Sequence, residues 1–229
     1  MTDRLNVLLI VFDTARADAF EPYGAGVGAS PAVAQLARKG TALPLAYTTS
    51  NWTLPSHVSM LSGLLPRATG LTQAPGGKAI NCRPYVEALS DRLLPEVLRR
   101  SGYDTRAASA NAWISSATGF GAGFNEFHDV WSQRQGRVDD KRIRGRAHWL
   151  AEGVRRRSDD GAMQIEALLE NWLGERSGRP FFWFVNLVEC HSPYLPPRPY
   201  NDMRLIARMK AAEDVRKYQG VIGVWRACA

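Results

Sequence analysis

The stretch NVLLIVFD, Asn6 to Asp13, is an unbroken run of aliphatic and aromatic residues that stops at a carboxylate. A strand with one wet face alternates apolar and polar residues. A continuous run fits a strand buried on both faces inside a parallel sheet, with Asp13 at its C-terminal end. The pattern returns in RPFFWFVNLVECHSPYLPP, Arg179 to Pro197, which reads as a second apolar strand reaching Glu189 and then a histidine and a proline-rich loop.

Helical signals lie between these runs. SPAVAQLARKG has Ser30 as its expected N-cap, Pro31 in the first turn and Gly40 as the stop. TALPLAYTT is expected to be a short extended segment, and the residues from Pro55 onward a helix closed by Gly63. LSDRLLPEVLRRSGY has helical periodicity with Pro95 near its start, DTRAASAN reads as a strand, and GFGAGFNEF as a glycine-rich loop. AMQIEALLENWLGER places Ile165, Leu168, Leu169 and Trp172 on one apolar face, and MRLIARMKAAEDVRKYQG is a further helix candidate. Alternating strands and helices predict an α/β fold, a largely parallel sheet flanked by helices, in one domain over residues 1–229. Ligands of such folds bind beyond the carboxyl ends of the strands. Asp13, the helix start at Thr53 and the segment Glu189 to His191 are therefore expected to converge.

With 229 residues and 45% hydrophobic content, the chain can bury a sizeable core. No apolar run approaches the roughly 20 residues that cross a bilayer, and the N-terminus lacks the pattern of a signal peptide, so a cytoplasmic location is expected. Cys82, Cys190 and Cys228 are far apart, which suggests neither a disulfide framework nor a cysteine zinc site. The net charge of +7 is concentrated between Arg134 and Arg157, where nine Arg or Lys residues face Asp139, Asp140 and Glu152. No aromatic-interleaved module or zinc-finger spacing accompanies this charge, so a solvated face is the expected reading and nucleic-acid binding is not expected.

SNWTLPSHVSMLSG, Ser50 to Gly63, bears on chemistry. Local physics alone reads Thr53 as a helix cap and Asp13 as a strand-end turn residue. The same positions also suit a reaction. A strand-end carboxylate is a hard donor for a divalent cation. A helix N-terminus favours an anion, and a metal-bound hydroxyl can attack phosphorus or sulfur. His57, one helical turn beyond Thr53, could face the same site or be an ordinary helix histidine. His191 could act there or simply anchor its loop.

Four blocks, NVLLIVFDTARAD, SPAVAQLARKGTALPLAYTTSNWTLPSHVSMLSGLLPRATG, LPEVLRRSGYDT and PFFWFVNLVECHSPYLPP, resemble in order and spacing the sulfatase family of the alkaline phosphatase superfamily. The resemblance implies a metal-dependent hydrolase or transferase acting on sulfate or phosphate esters, small or linked to a lipid or polysaccharide. It implies one divalent ion (Ca, Mn or Mg) held by Asp13 and Thr53, with Thr53 also the nucleophile, and His191 contacting the substrate's anionic group.

This chain departs from the family pattern in five places. Sulfatases carry C-x-P-S-R or S-x-P-S-R, whose first residue becomes formylglycine. Thr53 cannot, so no formylglycine is expected, and a threonine there resembles the phosphoryl-transfer members. His57 replaces the usual arginine and is a candidate substrate contact. Thr14 stands where many members have a second aspartate. SANAWIS replaces the lysine-bearing segment, leaving Asn111 as a candidate contact. The S-D-H-G segment that completes the family's metal site is missing, so the chain is expected to be truncated. An exposed strand edge follows, and the alternative reading is a catalytically incomplete remnant that binds anions or a partner.

Overall fold

The computed structural model describes residues 4–72, 81–131 and 159–191. The basic segment Arg134 to Arg157 and the helix candidate from Met203 lie outside the described residues.

Among the described residues four strands form one sheet: β1 (Val7–Phe12), β2 (Asp104–Ser109), β3 (Glu126–Asp129) and β4 (Phe181–Leu187). Their order is β1-β4-β2-β3, and every pairing is parallel. The last of these four strands in sequence is thus inserted between the first two. The helices are α1 (Pro31–Lys39), α2 (Thr53–Ser62), α3 (Pro66–Thr69), α4 (Arg83–Ala88), α5 (Leu94–Arg100) and α6 (Ala162–Gly174). The expected parallel α/β architecture is the observed one.

β4 is the strand that its composition predicts, with Phe182 to Asn186 all buried. Alternate residues feed two cores. Phe182 and Phe184 join Leu54, Val58 and Leu61 of α2 on one face, while Trp183 and Val185 join Ile165 and Trp172 of α6 on the other. Complete burial of each such side chain is worth ~1.5–3 kcal/mol. Ile165 and Trp172 are buried, with Leu168 and Leu169 packed beside them, as the apolar face of α6 predicts.

β1 departs from expectation. Its run predicts burial on both faces, yet among the described residues it pairs only with β4, and Val7, Leu8, Ile10 and Phe12 are exposed. Burial of both faces needs packed layers above and below the strand, and among the described residues β1 lies at the sheet edge with much of its surface uncovered. Two further expectations are corrected. TALPLAYTT, expected to be extended, turns at Pro44 and Leu45 and is exposed. Ser30 precedes α1 but does not cap it. Its hydroxyl accepts the Glu21 N–H (2.9 Å), while Glu21 Oε1 accepts the Ser30 N–H (3.0 Å), so this exchange ties the helix start to the preceding turn.

Candidate active site

The carboxyl ends of β1, β4 and β2 lie side by side, and each delivers a polar residue. Asp13 extends the ladder one residue past β1, donating its N–H to the Leu187 carbonyl (2.8 Å), and is 6% exposed. Asn111 follows β2. Its Nδ2 donates to Asp13 Oδ2 (2.5 Å) while its Oδ1 accepts the Trp113 N–H (2.9 Å), so the amide is oriented from both ends. Trp113 in turn meets Trp52 edge to face at 5.2 Å, bringing the start of α2 to the same place.

Thr53 opens α2 without capping it. The cap position belongs to the extended Trp52, no side chain makes the capping bond, and Thr53 is the first helical residue. Its hydroxyl makes no hydrogen bond among the described residues. Ser56 holds the turn instead: its hydroxyl donates to the Ser50 carbonyl (2.7 Å) and bonds the Thr48 hydroxyl (2.9 Å). Gly63 ends the helix in the left-handed region, as expected, its N–H bonding the Ser59 carbonyl (2.9 Å).

His57 is 3% exposed and meets Phe120 and Phe184 edge to face. Its Nδ1 lies 2.8 Å from the Thr53 carbonyl oxygen. A carbonyl can only accept, so Nδ1 carries the proton. Nε2 is then the bare nitrogen and accepts from Asn186 Nδ2 on β4 at 2.9 Å. Burial holds the ring below the ordinary imidazole range, outweighing the Thr53 carbonyl and the negative Asp13, which raise it. His57 is therefore neutral at pH 7, and both ring nitrogens of this candidate substrate contact are engaged, by Thr53 and Asn186. Asn186 escaped the sequence reading, although an amide within FFWFVNLV was a signal in plain view. It is fully buried, and its Oδ1 has no hydrogen-bond partner among the described residues.

His191 lies just past β4, its N–H donating to the Val188 carbonyl (2.9 Å) in a turn. Thr14, next to Asp13, donates its hydroxyl to the Cys190 carbonyl (2.9 Å), which sets His191 beside the Asp13 turn. Thr14 has φ 60° and is the only non-glycine with positive φ among the described residues. That conformation costs a β-branched residue ~1–3 kcal/mol, which the contact across to β4 helps offset. Asp13, Asn111, the first turn of α2 and the His191 loop thus meet at the expected edge of the sheet.

Glu189 serves a neighbouring element. Its Oε1 accepts the Ala162 N–H (2.8 Å) at the start of α6. Burial pushes its carboxyl above the ordinary value of 4.5, against that N–H, which favours the ionised form. An acid with a higher pKa folded than unfolded binds more protons in the native state. Its contribution to stability is complete below about 4.5 and is lost as pH rises through the folded value. Glu189→Gln keeps an acceptor for Ala162 but cannot ionise. Thermal midpoints measured from about pH 4 to about pH 8 should fall less with rising pH in the variant; parallel curves would contradict this.

As a divalent-metal site the described residues are incomplete. Asp13 offers one hard carboxylate, but among the described residues no group of three His, Cys, Asp or Glu could hold an ion, and Ca²⁺ or Mg²⁺ takes at least six oxygen ligands. The residues described do not by themselves fit a tight site.

Compared with known proteins, the chain matches no curated protein. Two solved structures share its fold. A phosphonate monoester hydrolase of Agrobacterium radiobacter aligns with TM-score 0.55 and 18% identity over 90% of this chain and 44% of its own. A lipoteichoic acid synthase from Listeria monocytogenes aligns with TM-score 0.53 and 14% identity over 96% of this chain and 52% of its own. The chain therefore spans about half the length of these structures. The family model described as Sulfatase matches residues 5–222, nearly the whole sequence, and the chain belongs to the sulfatase family.

Proposed function

We propose that the chain carries the nucleophile side of an ester hydrolase or transferase, with Thr53 attacking a phosphate or phosphonate ester in preference to a sulfate ester. The observation that carries this reading is the Thr53 hydroxyl, uncommitted among the described residues, in the first turn of a helix whose start is linked to Asp13 through Trp52, Trp113 and Asn111. At that position the Thr53 and Leu54 N–H groups have no intrahelical partner, and an anionic ester suits them. Pro55 supplies no competing donor. Asn111 keeps one N–H for an ester oxygen after bonding Asp13, and His191 is assigned to the non-bridging oxygens.

The bond from Thr53 Oγ to phosphorus forms as the ester P–O bond breaks, and the hydroxyl proton leaves on the released alcohol. Water then cleaves the threonine ester, or a second alcohol takes the phosphoryl group. Members of this family generally use a divalent metal, and Asp13 is the proposed ligand among the described residues.

Initial rates with an aryl phosphonate monoester, an aryl phosphodiester and an aryl sulfate, each with Mg²⁺, Mn²⁺, Ca²⁺ or a chelator, test this reading. Faster turnover of a phosphorus ester, lost on chelation, is expected. A sulfate ester turned over fastest would contradict the preference. No turnover under any condition would favour a catalytically incomplete relative that binds anions at α2, the reading that the single carboxylate supports.

A further inference from the structure

We propose that His57 and Asn186 form a clamp that positions the Thr53 hydroxyl over the strand ends, a role that rests on the assignment of Thr53 as nucleophile. The imidazole reaches back one helical turn to the Thr53 carbonyl and across to Asn186, so α2 and β4 are joined through one ring. Asn186 pairs in register with Val11 of β1 and Ser109 of β2. Those residues stand two positions before Asp13 and Asn111, which bond each other. One row of the sheet therefore fixes both halves of the site: the first turn of the helix through the clamp, and the carboxylate through the strand ends.

Packing alone does not call for these residues. His57 sits against Phe120 and Phe184, and burying an imidazole and an amide beside such apolar neighbours forfeits their hydration. The Asn186 oxygen goes without a partner among the described residues even so. What the pair supplies and an apolar pair would not is direction. Each bond requires a defined donor and acceptor, so the ring holds one tautomer and the first turn of α2 one height above the sheet. Small misplacements of a reacting group can cost ~100-fold in rate, and the clamp guards against such a displacement.

The test compares His57→Leu, His57→Gln and Asn186→Leu with the wild-type chain, using the best phosphorus ester from the assay above. The readouts are kcat, KM, thermal midpoint and the ring nitrogen resonances of His57. Glutamine can donate to the Thr53 carbonyl and accept from Asn186 much as the neutral imidazole does. His57→Leu and Asn186→Leu should lower kcat ~30–100-fold in folded protein with KM within about threefold of wild type, and His57→Gln should recover at least about tenfold of that loss. The wild-type ring should carry its proton on Nδ1. A folded His57→Leu or Asn186→Leu protein with unchanged kcat would overturn the clamp, as would a proton found on Nε2. If His57→Leu does not fold, Asn186→Leu and the wild-type tautomer decide. Wild-type turnover that survives Thr53→Ala would overturn the nucleophile assignment and leave the tautomer result standing, so the two failures are distinguishable.

Discussion

With Thr53 as the proposed nucleophile, Thr53→Ala should abolish turnover of the preferred ester, with a fall of ~10³-fold or more in kcat, while leaving the fold in place. The two parts of this expectation have separate physical grounds. Turnover is lost because the variant has no oxygen to form the covalent intermediate, and no other hydroxyl stands in the first turn of α2 as Thr53 does. Ser56, the next hydroxyl along α2, is committed to Ser50 and Thr48. Folding survives because the Thr53 hydroxyl makes no capping bond, so its removal should cost less than ~1 kcal/mol. Thr53→Ser keeps the nucleophile and should retain measurable turnover. Activity and thermal midpoint measured on the same preparations separate the two contributions, and loss of both together would count against a purely chemical role.

Gly123→Ala destabilises the protein by ~3 kcal/mol or more, with a thermal midpoint lower by roughly 6–12 °C. Gly123 has φ +82°, and a Cβ there would lie 2.4 Å from the Glu96 nitrogen and 2.7 Å from its Cα. These are backbone atoms of the first turn of α5, which cannot swing aside as a side chain could. The loop cannot retreat easily either, since the Thr105 hydroxyl donates to the Gly123 carbonyl (2.9 Å) and anchors it to β2. Gly178 provides the control, with φ +77° and nothing within 4 Å of its added Cβ. Gly178→Ala should cost only the ~1–2 kcal/mol of the left-handed backbone. Equal losses in the two variants would show that the collision with α5 is relieved.

The fold was largely legible because its strands announce themselves by composition. FWFV, Phe182 to Val185, lies inside the sheet and is buried on both faces, and the helices start and stop near the prolines and glycines that punctuate them. VLLIVF misled in position rather than in type, since a run suited to a sheet interior forms an edge among the described residues. TALPLAYTT, read as extended, is broken by a turn at Pro44 and Leu45, a proline-initiated bend that its apolar residues obscured. In the site, the convergence of Asp13, the α2 start and the His191 loop followed from parallel topology. The orientation of His57 did not. Helical spacing puts it one turn from Thr53, but whether a ring turns toward substrate or toward the sheet depends on what the sheet offers, and Asn186 offers an amide. Ser56 likewise read as part of a motif and proved to hold the turn that precedes the helix.

The most direct test of the nucleophile assignment is mass spectrometry of the peptide bearing Thr53 after the protein is mixed with the preferred phosphorus ester and quenched in acid. A phosphoryl or phosphonyl adduct on Thr53, absent when Thr53→Ala is treated in the same way, is the result expected. Turnover in the same sample with no adduct on Thr53, or with the adduct on another residue, would contradict it.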